Sequence, residues 1–209
     1  MLKVGLTGGV ACGKSTVGEM FVSLGAHLTK ADEIGHQLMR PGQPVLNDIV
    51  KQFGRGILND DGTISRPRLA DLVFSTGRIG ELNAIVHPAV IAAENQWMED
   101  VFASDPKAVA IVEAALMLEA GSWKHFDRMI TVVCPIDQKI ERFAARHGIS
   151  REAAKAEVER RMRAQASDEE KARISQYVIE NCGDLADTRK RVEEIWAELK
   201  RLTVLNDIV

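Results

Sequence analysis

Residues 8–15 carry the clearest chemical pattern in the chain. They read Gly-Gly-Val-Ala-Cys-Gly-Lys-Ser and fit Gly-x-x-x-x-Gly-Lys-Ser/Thr, the spacing of a phosphate-binding loop. Glycines let a strand turn sharply into a helix while backbone N–H groups point at a phosphate, and the helix N-terminus adds unpaired donors. Lys14 supplies a mobile charge for the β- and γ-phosphates, and the Ser15 hydroxyl is a ligand for Mg²⁺. The residues expected to contact ATP are Gly8, Gly9, Val10, Ala11, Cys12, Gly13, Lys14, Ser15 and Thr16.

A carboxylate, Asp32, comes at the end of the second predicted strand. If that strand and the first share a parallel sheet, Asp32 emerges at the same edge as the phosphate-binding loop. It can then accept the proton of an attacking hydroxyl or hold a metal-bound water. The alternative is that Asp32 caps a helix beginning at Glu33. The residue pattern leaves both interpretations open.

Arginines are concentrated in residues 138–171, where the sequence has Arg142, Arg146, Arg151, Arg160, Arg161 and Arg163. Glutamates lie among them, so many of these arginines are expected on a solvated helix face. Phosphoryl transfer also needs mobile cations over the phosphates, and arginine supplies bidentate ones. We therefore expect at least one of these arginines to act on ATP.

Cys12 lies inside the loop, at a helix N-terminus and beside Lys14, a setting expected to lower the pKa of its thiol. One interpretation is a redox switch, in which the modified thiol blocks phosphate. The other is a small residue that contributes only its backbone N–H, and we favour it.

The elements that position these residues alternate along the chain. Apolar runs predict strands at 2–7, 26–32, 109–116, 129–134 and 177–180, and helical spacing predicts helices at 138–147, 151–165 and 186–202. Strands alternating with helices favour an α/β fold with a parallel sheet covered on both faces. Residues 33–107 are too many for one crossover helix and predict an inserted helical lobe.

Composition limits the classes of function. The 209 residues are 45% hydrophobic and 27% charged, which is typical of globular proteins. A net charge of −3 and 5% aromatic residues argue against a nucleic-acid partner, and the short apolar runs argue against a membrane span. Three cysteines without Cys-x-x-Cys spacing indicate a reduced, cytoplasmic protein. We expect a monomer or weak homo-oligomer.

The ordered series of motifs resembles the dephospho-CoA kinase family over residues 2–202. The matching segments are Gly-Leu-Thr-Gly-Gly-Val at 5–10, Gly-Lys-Ser-Thr-Val at 13–17, Leu-Gly at 24–25, Ala-Asp at 31–32, Phe-Gly at 53–54, Asp-Gly-Thr-Ile at 61–64 with Arg66, Val-His-Pro at 86–88, Leu-Met-Leu-Glu at 116–119, Arg142, Arg-Met at 161–162 with Gln165, and Val-Ile at 178–179 with Asn181 and Gly183. The phosphate-binding loop is common to a large superfamily, whereas this ordered series is more specific.

The resemblance implies a P-loop NTPase-like fold in three parts. These are a nucleotide-binding core at 1–32, 108–137 and 172–209, a helical coenzyme A domain at 33–107 and a lid at 138–171. It implies transfer of the γ-phosphoryl group of ATP, with Mg²⁺, to the ribose 3′-hydroxyl of dephospho-CoA, the last step of coenzyme A biosynthesis.

By matching position, the resemblance also assigns residues. Thr7 and Asp32 flank the reacting hydroxyl, and Asp32 is the base. Arg66 contacts the acceptor, and His87 supports the coenzyme A lobe, by packing or capping rather than catalysis. Arg142 contacts ATP from the lid, and Asn181 lies near adenine.

Three departures from the family pattern stand out. Lys-Ala-Asp at 30–32 replaces Asp-Ala-Asp, Glu-Ala-Ala-Leu-Met at 113–117 replaces Asp-x-Pro-Leu-Leu, and Gln176 stands where Asp is usual. The alternatives are another small-molecule kinase, for nucleoside monophosphates or shikimate-like alcohols, and a GTPase-type switch. No asparagine in the chain is followed by lysine, so the guanine-selecting Asn-Lys-x-Asp pattern is absent.

Overall fold

The computed structural model describes residues 1–205. Five strands form one sheet in the order β2-β3-β1-β4-β5, and the pairings of β1 with β3, β1 with β4 and β4 with β5 are parallel. The strands are β1 Leu2–Gly8, β2 His27–Lys30, β3 Val109–Glu113, β4 Arg128–Val133 and β5 Tyr177–Glu180. The predicted α/β class with a parallel sheet is confirmed.

The helices in the described part of the chain are α1 Lys14–Ser23, α2 Ala31–Leu38, α3 Pro44–Phe53, α4 Arg66–Ser75, α5 Ile79–Ser104, α6 Ile136–His147, α7 Arg151–Arg163, α8 Asp168–Ile174 and α9 Leu185–Leu205. Short 3₁₀ turns lie at Arg55–Ile57 and Ser122–His125.

Two predicted strands were too long. The second ends at Lys30, because Ala31 already begins α2, and its predicted first residue, Ala26, instead donates its N–H to Phe21 in the turn after α1. The third ends at Glu113 because the chain then turns, with the N–H of Ala120 donating to the Leu116 carbonyl.

The chain divides into two compact units. One unit comprises Met1–Thr29 and the described residues from Met98 onward, and the other comprises Lys30–Trp97. Alternate residues of the strands in the first unit face α1 and α9, because side chains alternate along a strand. The core on this face is formed by Leu2, Val4, Leu6, Val17, Met20, Phe21, Val109, Ile111, Ile130, Val132, Ile179, Val192, Ile195 and Leu199, with others.

The opposite face of the sheet is covered by α8, which packs on β4 and β1. Thr131, in the middle of β4, bonds through its hydroxyl to the Lys171 carbonyl of α8 at 3.2 Å. The sheet of the first unit is therefore covered by helices on both faces, as predicted.

The second unit is helical and has a core of its own. In α3, Val45, Ile49 and Phe53 recur every four residues and so lie on one buried face. They pack with Leu69 and Val73 of α4. Val-Leu-Asn-Asp-Ile-Val at 45–50 forms part of α3, whereas most of its second copy, at 206–209, lies outside the described residues.

Among the helices of residues 1–205, none combines the length and the apolar character that crossing a bilayer requires.

Candidate active site

The phosphate-binding loop joins the end of β1 to the start of α1. Gly13 precedes α1 with φ of +93°, a left-handed conformation that favours glycine, and the Asn181 amide occupies the space a side chain would need. Ala11 has φ of +54° without being a glycine. The sharp strand-to-helix turn expected from the sequence is therefore present.

Lys14 lies over the loop. Its amine donates to the Gly8 carbonyl at 3.1 Å and to the Gly9 carbonyl at 3.0 Å. These carbonyls hold the ammonium group at the loop. A phosphate can displace them, because a cation is attracted more strongly by an anionic oxygen than by a neutral one.

Ser15, in the first turn of α1, contacts a buried acid at the end of β3. Its hydroxyl donates to Glu113 Oε1 at 2.8 Å, and Glu113 is the last residue of β3. The second carboxylate oxygen, Oε2, is buried and has no hydrogen-bond partner among residues 1–205. A hydroxyl and an orphaned carboxylate oxygen are hard ligands that suit Mg²⁺, which commonly takes one or two protein ligands together with phosphates and water.

The sequence analysis noted Glu113 as a departure from the aspartate usual in the family but did not include it among the site residues. The available signal was an acid directly after the apolar run at 109–112, at the end of a buried strand. In the described part of the chain there is no cluster of three or more His, Cys, Asp or Glu side chains that could hold a metal. A magnesium ion here would therefore depend on Ser15, Glu113 and the nucleotide itself.

Thr7 is the residue of β1 that precedes Gly8. It is completely buried and is paired in register with Thr131 of β4. Its hydroxyl oxygen makes no hydrogen bond to any part of the chain that the structure describes.

Arg142 and Asn181 both contact the loop. The Arg142 guanidinium of α6 donates to the Cys12 carbonyl at 3.4 Å and to the Asn181 carbonyl at 2.9 Å. The Asn181 amide, just after β5, donates to the Cys12 carbonyl at 2.8 Å, and its own oxygen accepts from Thr188 at 3.1 Å. The structure thus brings both predicted residues to the loop.

The other arginines of this region are on the surface. Arg151 pairs with Asp137 and Glu141, and both Arg160 and Arg161 pair with Glu157, whose carboxyl pKa they lower to about 2. The solvated-face interpretation is therefore correct for Arg151, Arg160 and Arg161.

The expected low pKa of the Cys12 thiol is wrong. Its side chain is fully buried, and burial raises the thiol pKa by more than the positive charge of Lys14 lowers it. Exposure, which the sequence does not show, decides the direction of this shift.

An ion pair that the sequence analysis missed lies against Gly9. Lys139 of α6 is almost completely buried and contacts Asp168 of α8 at 2.5 Å. A side chain on Gly9 would lie 2.8 Å from both the Lys139 amine and an Asp168 oxygen. Nearby, Val10 packs with Ile140 and Phe143 of α6 and with α7. The predicted lid segment therefore contacts the loop directly.

Asp32, Arg66 and His87 belong to the second unit. Asp32 lies exposed in the first turn of α2, and since this helix begins at Ala31 with Lys30 as N-cap, the interpretation of Asp32 as a helix cap is wrong. Lys30 pairs with Glu33 at 3.4 Å. Arg66 is the exposed first residue of α4, and His87 is half-buried in α5.

Comparison with known proteins gives one family. The family model described as "Dephospho-CoA kinase" matches residues 2–187. The dephospho-CoA kinase of Aquifex aeolicus is 38% identical over 202 residues, which cover 96% of this chain and 99% of that protein.

Two solved structures have the same fold over nearly the whole chain. TT1252 from Thermus thermophilus has a TM-score of 0.77 at 29% identity, and dephospho-CoA kinase from Campylobacter jejuni has a TM-score of 0.68 at 26% identity. In both cases 95% of this chain and 97% of the other are covered. The family model covers most of the chain, the similarity to a dephospho-CoA kinase extends over nearly its full length, and the phosphate-binding loop contacts a buried acid. The chain therefore belongs to the dephospho-CoA kinase family.

Proposed function

We propose that this protein transfers the γ-phosphoryl group of ATP to the ribose 3′-hydroxyl of dephospho-CoA, giving coenzyme A and ADP. The observation that carries the proposal is the pair formed by the loop and β3. Lys14 lies over the loop carbonyls, and Ser15 bonds to the buried Glu113 at the end of β3, the strand beside β1. Family membership supplies the acceptor.

On the nucleotide side, backbone groups from Gly8 to Thr16 would hold the phosphates, with Lys14 as their cation. Ser15 and Glu113 would hold Mg²⁺, which neutralises charge on the β- and γ-phosphates when bound. Arg142 supports this assignment because it already reaches the loop through the Cys12 carbonyl. Asn181 would lie near adenine, and its amide also donates to the Cys12 carbonyl of the loop.

On the acceptor side, Asp32 would receive the proton of the attacking hydroxyl, with Thr7 beside the reacting group. Arg66 would contact the acceptor, and His87 would support the lobe at 33–107. A strong base is not required, because phosphoryl transfer depends mainly on positioning and on stabilisation of charge. The lid at 138–171 would cover ATP and exclude water, which limits hydrolysis.

The test is an ADP-release assay with the purified full chain, ATP, Mg²⁺ and a panel of acceptors. We expect turnover with dephospho-CoA and none above background with AMP, UMP or shikimate. Lys14→Ala should weaken ATP binding and abolish turnover, because the phosphates lose their main cation. Phosphorylation of another panel member in preference to dephospho-CoA would refute the acceptor assignment.

Three further statements stay predictions from the sequence: a cytoplasmic location, a monomeric or weakly oligomeric state, and the absence of a nucleic-acid partner. Size-exclusion chromatography with light scattering tests the second of these directly.

A further inference from the structure

Lys171 of α8 is a buried cation with no assigned role. Its side chain is 0% exposed, and its amine has no hydrogen-bond partner within residues 1–205. An ammonium group taken out of water is costly unless it is paired, so an unpaired one is rare in a folded protein. Burial accordingly lowers the pKa of Lys171.

The start of α8, the helix that carries Lys171, lies beside the phosphate-binding loop, because a side chain on Gly9 would lie 2.8 Å from an Asp168 oxygen. The positive charge of Lys14 lowers the pKa of Lys171, whereas the negative charges of Glu119 and Asp168 raise it. Asp168 lies against Gly9, and the exposed Glu119 accepts the N–H of Ala166. Neither carboxylate hydrogen-bonds to the amine.

A second unpartnered polar atom lies on the same face of the sheet. Thr7 is the register partner of Thr131, and Thr131 bonds to the carbonyl of Lys171 itself. Paired residues of neighbouring strands project from the same face, so the Thr7 hydroxyl also faces the layer formed by α8. Both orphaned groups are completely buried.

The chemistry of these groups defines what is missing. An ammonium group only donates hydrogen bonds, so its partner must be an acceptor. The loop region also has an excess of positive charge: Lys139 is paired with Asp168, whereas the hydrogen bonds of the Lys14 amine within residues 1–205 go to carbonyls. Glu113 accepts from Ser15 through Oε1, and its free Oε2 is the oxygen assigned to Mg²⁺ in the proposed function. The missing partner is therefore an anion.

We infer that Lys171 is a further phosphate-binding residue of this site, whose buried amine, together with the Thr7 hydroxyl, holds an oxygen of the terminal phosphoryl group of ATP. The inference rests on the proposed function only in taking the site to bind ATP. Lys171 takes no proton and forms no covalent bond in this role. The buried Lys171 amine adds a positive charge in a fixed position, whereas Lys14 supplies a mobile positive charge.

The test compares Lys171→Met with wild type by calorimetry, using ADP and a non-hydrolysable ATP analogue with Mg²⁺, and by steady-state kinetics. We expect ADP affinity to change by about twofold or less, while affinity for the analogue falls about 10- to 100-fold, the loss typical of a hydrogen bond to a charged group. The kcat should fall by a similar factor or more. Lys171→Met should melt no lower than wild type, because the variant removes a buried charge.

Ser175→Ala is the matched control. Ser175 bonds to the Lys171 carbonyl at 2.9 Å and to Thr131 at 2.6 Å, so this variant loosens α8 and leaves the amine in place. We expect it to melt lower with an unchanged preference between the two nucleotides. If Ser175→Ala reproduced the Lys171→Met loss, the amine would have only a structural role.

Thr7→Val provides an independent variant should Lys171→Met fail to fold, and it should show the same selective loss of the triphosphate. Wild-type kcat and wild-type nucleotide preference in either variant would overturn the inference. A chain that binds both nucleotides but does not phosphorylate dephospho-CoA would refute the proposed function, while the binding comparison would still decide the role of Lys171.

Discussion

Single residues around the phosphate-binding loop are held by partners that a phosphate can replace. Lys14 donates to two loop carbonyls, and Arg142 donates to the carbonyls of Cys12 and Asn181. An anionic phosphate oxygen attracts these cations more strongly than a neutral carbonyl oxygen does, because both partners then carry a net charge. Both side chains are thus kept near the site by neutral oxygens and remain available to a nucleotide.

Asp32→Asn is expected to separate catalysis from ATP binding. The variant keeps the size of the side chain and removes its basicity, so kcat should fall about 10²- to 10⁴-fold, the usual contribution of a general base. ATP affinity, measured by calorimetry, should stay within about twofold of wild type, because the proposed nucleotide contacts are elsewhere.

The control for Asp32→Asn is Glu33→Gln, which changes an exposed acid in the same turn of α2. Glu33 pairs with Lys30 at the surface, and we expect nearly normal kcat. A near wild-type rate for Asp32→Asn would remove this carboxylate from the mechanism.

Cys12 should resist alkylation in the folded protein. Its thiol is buried and burial raises its pKa, and both effects reduce the reactive thiolate. Cys134 is also buried, with a thiol pKa raised to about 11, whereas Cys182 is partly exposed. Mass spectrometry after iodoacetamide treatment at neutral pH should find label mainly on Cys182, with activity retained. Labelling of Cys12 with loss of activity would revive the redox switch.

At the scale of secondary-structure elements, α5 carries an unusual acid. Glu94 is nearly completely buried in this helix, and burial raises the pKa of its carboxyl to about 7. Between about pH 4.5 and 7, the Glu94 carboxyl of the folded protein therefore keeps its proton, whereas the same group in the unfolded chain has released it. The free energy of unfolding should accordingly fall as pH rises from about 4.5 to 7.

Glu94→Gln removes this pH-dependent cost, since the amide resembles the protonated acid. Urea unfolding at pH 8 should show the variant to be more stable than wild type by up to about 3 kcal/mol, and the difference should shrink towards zero near pH 4.5. Glu99→Gln, at an exposed position of the same helix, should leave the pH profile unchanged. Parallel profiles for Glu94→Gln and wild type would contradict the assignment.

At the scale of the whole molecule, each compact unit has its own hydrophobic core. Ile49 is completely buried in the helical unit, and Ile195 is completely buried between α9 and the sheet in the other. The proposed division of labour assigns the acceptor to the helical unit and ATP to the sheet unit. Separate cores allow one unit to be weakened without disturbing the other.

Ile49→Ala should cost about 2–5 kcal/mol of stability through the cavity it leaves. Hydrogen exchange should increase mainly within Lys30–Trp97, and the Kd for ATP should stay within about twofold of wild type, with KM for dephospho-CoA raised. Ile195→Ala, an equal deletion in the other core, should increase exchange in the sheet unit instead. Equal increases in both units from either variant would show that they unfold as one.

The sequence by itself determined the features that depend on neighbouring residues. The glycine and lysine spacing specifies the loop, and the alternation of apolar runs with helical patterns specifies an α/β sheet, because backbone conformation responds to local residue types. Strand ends were less well predicted, since a turn such as the one after Glu113 depends on where the chain must go next.

Only the tertiary structure decided which distant residues meet. Glu113 lies 98 positions from Ser15, Asp168 lies 29 from Lys139, and Asn181 lies 169 from Cys12, separations for which no local pattern specifies contact. Burial decided the rest. It raises the pKa of Cys12, where the local sequence predicted a decrease, and it encloses the amine of Lys171, because both effects depend on how much water the packed chain excludes.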